Sequence, residues 1–198
     1  MENNRAIVCF KELKGFPIIE ENNEIETIAF LAAAEEIVQI IETFGRLFTP
    51  VTSDMRGNIK KLNIIYEKDP KKFGFIDRMI KVDLDGGSNG SVEAVTWLKR
   101  ALNLIFIFFK NILNDATTSE NLRDHLKDAY ERTLKQHHGI IVKQTVTFIY
   151  RWVPKRSELL GLGNLHDENI KLLSNFLKIM EANIIRINAL VNDFPKEN

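Results

Sequence analysis

From Ser91 to Asn114 the chain runs without a glycine or a proline, while Trp97, Ala101, Leu104, Ile105, Phe108 and Ile112 recur every three or four residues. That spacing places them on one side of a helix and predicts a long central helix whose apolar stripe other elements must cover. The rest of the chain is built in the same way. It holds only 10 glycines and 5 prolines in 198 residues, about 8% against the roughly 12% of an average protein. Few punctuators imply long helices. With 44% hydrophobic residues, and no repeat, Ser/Gly linker or low-complexity tract to divide it, the chain is expected to form a single domain over residues 1–198.

The remaining elements follow from start and stop signals. A first helix fits residues 24–44 and is ended by Gly45 and Pro50. Ser53 caps a second that runs to about Tyr66, and Asp69-Pro70 opens a third. The third stops before Asp85-Gly86-Gly87-Ser88-Asn89-Gly90, the clearest turn in the sequence. Beyond the central helix, a further helix spans roughly residues 119–137. Residues 139–152 suit a strand as well as a helix, since Ile140, Ile141, Val142, Val146, Phe148 and Ile149 favour both; helical neighbours on either side assign them to a helix ended by Pro154. A loop through Gly161 and Gly163 then leads to a last helix capped by Asp167, with Leu173, Phe176, Leu177, Met180, Ile184, Ile187, Val191 and Phe194 on one face. The expected fold is all-α, a two-layer helical sandwich of about eight helices around a shared core.

Composition excludes several function classes. The 27 basic residues balance 27 acidic ones, so the cationic excess that a phosphate backbone requires is missing and no nucleic-acid partner is expected. Cys9 is the single cysteine, which rules out an internal disulfide or a thiolate metal cluster and makes a reducing compartment the default. The longest uncharged run, residues 101–109, is far short of the about 20 residues that a spanning helix needs. A soluble, cytoplasmic protein is expected. Phosphate-binding loops, dinucleotide fingerprints, nucleophile elbows and zinc motifs are all missing from the sequence, so no catalytic residue, enzyme activity or cofactor is assigned. His137 and His138 point about 100° apart on a helix and do not converge on one metal ion, so no metal site is assigned.

What remains is a set of hydrogen-bonding groups. Asp54, Asn58 and Lys61 stand at i, i+4 and i+7 and share one helix face: an acceptor, an amide and a cation in line. They suit a polyol or amide ligand, or else form an ordinary solvated face with a weak charge interaction. Trp97 opens the apolar run of the central helix and is followed by Lys99 and Arg100. An indole in that position is either core or a flat platform for the C–H face of a sugar. Between Arg132 and Arg156 there are six bases (Arg132, Lys135, Lys143, Arg151, Lys155, Arg156), two histidines and no acid, interleaved with Ile140, Phe148 and Trp152. Such a stretch suits an anionic membrane surface, or a buried helix with a charged outer face.

Taken in order, F-T-P-V-T-S-D-M-R-G-N-I-K-K from Phe48, W-L-K-R-A-L from Trp97 and H-H-G-I-I-V from His137 resemble the glycolipid transfer protein family over nearly the whole chain. The resemblance implies a two-layer all-α fold that takes one sphingolipid, its chains between the helical layers and its headgroup at the surface. It implies a cytosolic carrier that moves the lipid between membranes, needs no cofactor and breaks no bond. By position, Asp54 would accept from the sphingoid amide N–H and His138 would donate to the acyl carbonyl. Asn58 and Lys61 would bond sugar hydroxyls, and Trp97 would stack under the ring. In the branch that carries ceramide-1-phosphate a cation replaces the stacking ring, so Trp97 favours a neutral sugar, while Lys61, Lys99 and Arg100 leave room for a charged one.

Two positions depart from the family pattern. A docking tryptophan often follows the His-Gly pair, and Ile140 stands there instead; docking then leans on Ile140, Lys143 and Trp152. Some members end in a tyrosine that reaches the sugar, whereas this chain ends Asp193-Phe194-Pro195-Lys196-Glu197-Asn198. The expected partners are a glycosphingolipid and, transiently, a membrane surface, with the protein a monomer. The rival expectations are a glycolipid sensor or adaptor and a ceramide-1-phosphate carrier.

Overall fold

The computed structural model describes residues 6–20, 23–87, 90–137 and 149–192. Among them are seven α-helices and no strand: α1 (Thr27–Glu42), α2 (Thr49–Lys68), α3 (Ile76–Val82), α4 (Ser91–Asn114), α5 (Arg123–Arg132), α6 (Arg156–Leu160) and α7 (Asn164–Asn192). The class is all-α, as the sequence predicts. Helix α4 has the predicted bounds and is the centre of the molecule, packing against α2, α5 and α7. It is therefore buried on more than one stripe, with Val95, Leu98, Leu102 and Phe109 inside as well as Ile105, Phe108 and Ile112. Helix α1 lies along α2 and contributes Phe30, Ile37 and Ile41, all at most 1% exposed.

Several predicted boundaries are corrected by tertiary contacts. Helix α2 starts one turn earlier than Ser53, with Pro50 in its first turn; there the missing proline N–H leaves no helical bond unmade. Helix α3 starts at Ile76 and not at Asp69-Pro70. Residues 73–76 instead lie along the entrance of α1, where Thr27 N donates to Gly74 O, Ile76 N donates to Ile25 O, and Thr27 Oγ1 donates to Phe73 O at 2.8 Å. The helix predicted at 119–137 is only α5, followed by one tight turn at Lys135–His137. Helix α6 occupies part of the predicted loop, and α7 begins at Asn164, so Asp167 sits in its first turn. Of the helix predicted at 139–152, residues 139–148 lie outside the described residues, and Tyr150–Trp152 form a 3-10 turn.

Three buried or half-buried carboxylates lock this arrangement. Asp77, 8% exposed, accepts from Ile25 N at 2.9 Å and from the Arg186 guanidinium at 2.6 and 2.9 Å, joining α3 and α7 to the segment before α1. Asp83 accepts from Gly90 N and Val92 N, which satisfies amide donors at the start of α4 and places a negative charge at its positive end. Asp115 accepts from Arg156, which is 4% exposed and also donates to the Ile112 and Ser119 carbonyls, so α6 is fastened to the end of α4. The predicted turn before α4 passes through Gly86 at φ 95° and Gly90 at φ 78°, backbone that a side chain disfavours.

Candidate functional site

Helix α2 has two faces. Met55, Ile59, Leu62 and Ile65 enter the core, while Asp54 and Lys61 are exposed. Asn58 falls between them at 5% exposure, and its Nδ2 donates to the Asp54 carbonyl at 3.0 Å, which fixes the amide against the helix. Among the described residues, neither the Asp54 carboxylate nor the Lys61 ammonium has a hydrogen-bond or ion-pair partner. The row predicted from spacing is present, with its middle member anchored and its two charged ends open.

Trp97 is half-buried on α4. The Arg100 guanidinium lies over its ring, 4.7 Å from the centroid, and the His137 ring is steeply inclined to it with the ring centroids 6.3 Å apart. Lys99 is committed elsewhere, its Nζ donating to Asn188 Oδ1 on α7 at 2.8 Å. Burial and the neighbouring Arg100 charge hold the Lys99 ammonium below its usual range, and burial lowers Arg100 as well.

Between α1, α2, α4 and α5 lies a cavity of about 60 Å³. Phe44 and Phe48 form one wall, packed edge to face at 5.4 Å, and Ala101, Leu104 and Ile105 of α4 form another. Tyr130 and Tyr150, 6.1 Å apart, close it with Leu134. Desolvation, followed by the nearby Tyr130 and Glu131, raises the Tyr150 phenol well above its ordinary value. The wall also includes Val51 of α2, three residues before Asp54, and Ala101 lies four residues after Trp97. At 1.5 Å per residue those offsets are roughly 5 and 6 Å along the helices. Asp54 and Trp97 are thus each about one turn from the cavity wall.

Other expectations are redistributed. Of the apolar run 101–109 only Ala101, Leu104 and Ile105 line the cavity, with Leu134 beyond α5, whereas residues 176–187 of α7 do not; Phe176 instead packs on Phe16, 5.9 Å away. Phe44, Phe48, Leu126, Tyr130 and Tyr150 are cavity residues that sequence reasoning missed, the only local signal being the Phe44 to Phe48 spacing of one turn. The basic stretch is not one surface. Arg156 is interior, Lys135 pairs with Glu131 at 2.8 Å, and Arg132 pairs with Asp128 at 3.3 Å. Trp152 is 60% exposed, with Arg151 and Lys155 exposed near it in sequence. The predicted site residues His138, Ile140 and Lys143 lie outside the described residues. Among the described residues, no helix is long and apolar enough to cross a membrane.

Comparison with known proteins agrees with this architecture. Residues 25–164 match the family model for glycolipid transfer protein. The chain is 26% identical over 191 residues to glycolipid transfer protein 1 of Arabidopsis thaliana, spanning 92% of this chain and 93% of that protein. It is 32% identical over 147 residues to human (Homo sapiens) pleckstrin homology domain-containing family A member 8, spanning 71% of this chain but only 28% of that longer protein. The structure of FAPP2, which selects simple glycosphingolipids using the glycolipid transfer fold, superposes with a TM-score of 0.80 at 26% identity, covering 97% of this chain and 93% of that one. Human ceramide-1-phosphate transfer protein in complex with its 2:0 ligand superposes with a TM-score of 0.79 at 15% identity, covering 94% and 93%, a likeness of fold alone. With residues 25–164, well over half of the chain, matched by the family model and the fold shared over 97% of it, the chain belongs to the glycolipid transfer protein family.

Proposed function

We propose that this protein carries glycosphingolipids between membranes, one at a time, with the headgroup at Asp54, Asn58, Lys61, Trp97 and His138 and the chains in the apolar cavity. The observation that carries the reading is that this cavity lies about one helical turn from both Asp54 and Trp97. A lipid whose polar group rests on α2 and α4 has an apolar enclosure about one helical turn away.

The division of labour follows from what each group can donate or accept. The Asp54 carboxylate accepts the amide N–H of the ceramide, and His138 donates to the acyl carbonyl. Asn58 and Lys61 bond the sugar hydroxyls, while the indole of Trp97 covers the C–H face of the ring. No bond is made or broken, so the work is binding work and no cofactor takes part. Each CH₂ group left in water costs about 0.8 kcal/mol, and that cost is what keeps a two-chain lipid in its bilayer. The cavity volume of about 60 Å³ is under half of the roughly 150 Å³ that accommodates a benzene molecule. Admission of a chain therefore requires the walls to move apart, with Phe44, Phe48, Leu104 and Tyr150 giving way. Trp152, together with Ile140 and Lys143, docks the protein transiently on the membrane, and the carrier works as a cytoplasmic monomer.

A ceramide-1-phosphate carrier is the second reading, favoured by the exposed Lys61 and by Arg100 beside Trp97. Native mass spectrometry after incubation with vesicles containing equal amounts of galactosylceramide and ceramide-1-phosphate separates the two. A 1:1 complex with galactosylceramide is expected, and a complex with ceramide-1-phosphate alone would replace the first reading by the second.

A further inference from the structure

We infer that Arg100 is a positioning residue for the sugar platform: it backs one face of Trp97, fixes the orientation of the indole and leaves the opposite face for the sugar ring. The inference rests on the reading of Trp97 as a headgroup residue. Residues three apart on a helix are surface neighbours, and helical side chains lean back toward the N-terminus. The Arg100 side chain consequently folds over the residue one turn before it, and the guanidinium comes to 4.7 Å from the centre of the Trp97 ring. That is well inside the about 6 Å over which a cation is attracted to an aromatic face.

Among the described residues, Arg100 has no carboxylate or carbonyl partner, so its contact with the indole is its principal one. The adjacent cation is held apart, since Lys99 Nζ is bonded to Asn188 Oδ1 and ties this turn of α4 to α7. The His137 ring stands steeply inclined to the indole, the planes at 78° and the centroids 6.3 Å apart, so it is not stacked parallel on it. A half-buried indole without these contacts would rotate about its side-chain bonds and would have to be ordered each time a sugar arrived. Backed by Arg100, it is ordered beforehand, which removes part of the cost of binding. The same contact excludes a sugar from the covered face, so ring stacking occurs in one orientation.

The test uses Trp152→Phe as the parent, leaving Trp97 as the single tryptophan, and compares it with Arg100→Met and Arg100→Lys in that background. Without lipid, Arg100→Met is expected to red-shift Trp97 emission and to raise its quenching by acrylamide, with thermal unfolding little changed. Affinity for N-octanoyl galactosylceramide should fall about fivefold, while affinity for N-octanoyl ceramide, which has no sugar, should not move; Arg100→Lys should lie between parent and Arg100→Met. Unchanged emission and quenching in Arg100→Met, or equal weakening of both lipids, overturns the inference. If the parent binds the ceramide but gains nothing from the galactose, the headgroup reading of Trp97 fails instead, and the lipid-free fluorescence still decides whether Arg100 holds the ring.

Discussion

Asp54 and Asp115 are both carboxylates on helical turns or their ends, and their surroundings give them opposite tasks. Asp54 is exposed, and among the described residues its carboxylate has no partner, which leaves it open for the proposed ligand role. Asp54→Val should abolish galactosylceramide capture while changing unfolding free energy by no more than about 0.5 kcal/mol, as for an ordinary surface substitution; lipid binding and thermal melts on the same sample check both halves. Asp115 is fully engaged. The Thr117 hydroxyl above all, and then the Thr117 amide, His125 and Arg156, hold its carboxyl well below the usual carboxylate range. As pH falls, the unfolded chain takes up this proton first, near pH 4, so the stabilisation is complete above that value and drains away toward the lower folded value. Unfolding of Asp115→Asn should accordingly differ most from wild type at neutral pH, and the two stabilities should converge as pH falls from 5 to 2. Spacing alone exposed the row Asp54, Asn58 and Lys61, because helical periodicity fixes which residues share a face. It did not show that Arg156, in the most basic stretch of the chain, is interior, because its partner Asp115 is distant in sequence.

Among the elements, α4 was legible to the residue and α3 was not, for a physical reason. A long run of helix formers with no glycine or proline leaves α4 no alternative, whereas residues 73–76 exchange local helix for hydrogen bonds to the entrance of α1. Helix ends depend on such remote partners, which is why α5 and α6 were also misjudged. The ends themselves make testable claims. An added Cβ at Gly90 meets nothing within 4 Å, so Gly90→Ala should cost only the left-handed backbone penalty, about 1 kcal/mol. Asp77→Ala should cost about 3 kcal/mol in a urea titration, because it leaves the Ile25 amide and the Arg186 guanidinium without their acceptor. A loss no larger than that of Gly90→Ala would mean that α3 and α7 are held by apolar packing and not by this carboxylate.

For the whole molecule, the cavity is where the proposed function meets the fold, and it was the least visible in the sequence. Its walls come from α1, α2, α4, α5 and the segments that follow α1 and α5, and each residue taken singly, Phe44, Val51, Leu126 or Tyr150, is an ordinary apolar position. Only assembly makes them a container. Leu104→Trp, which places a larger ring in that wall, should lower lipid transfer at least about tenfold at a stability cost of roughly 1–3 kcal/mol, the usual range for overpacking; unchanged transfer would place the lipid chains elsewhere. Whether the protein carries sugar lipids is decided by following fluorescent galactosylceramide and ceramide-1-phosphate, in parallel, from donor to acceptor vesicles with the wild-type protein. Galactosylceramide should move at a rate proportional to protein concentration while ceramide-1-phosphate stays in the donor. Movement of the phosphate lipid alone would contradict the sugar platform at Trp97, and movement of neither, despite binding, would make the protein a lipid sensor and not a carrier.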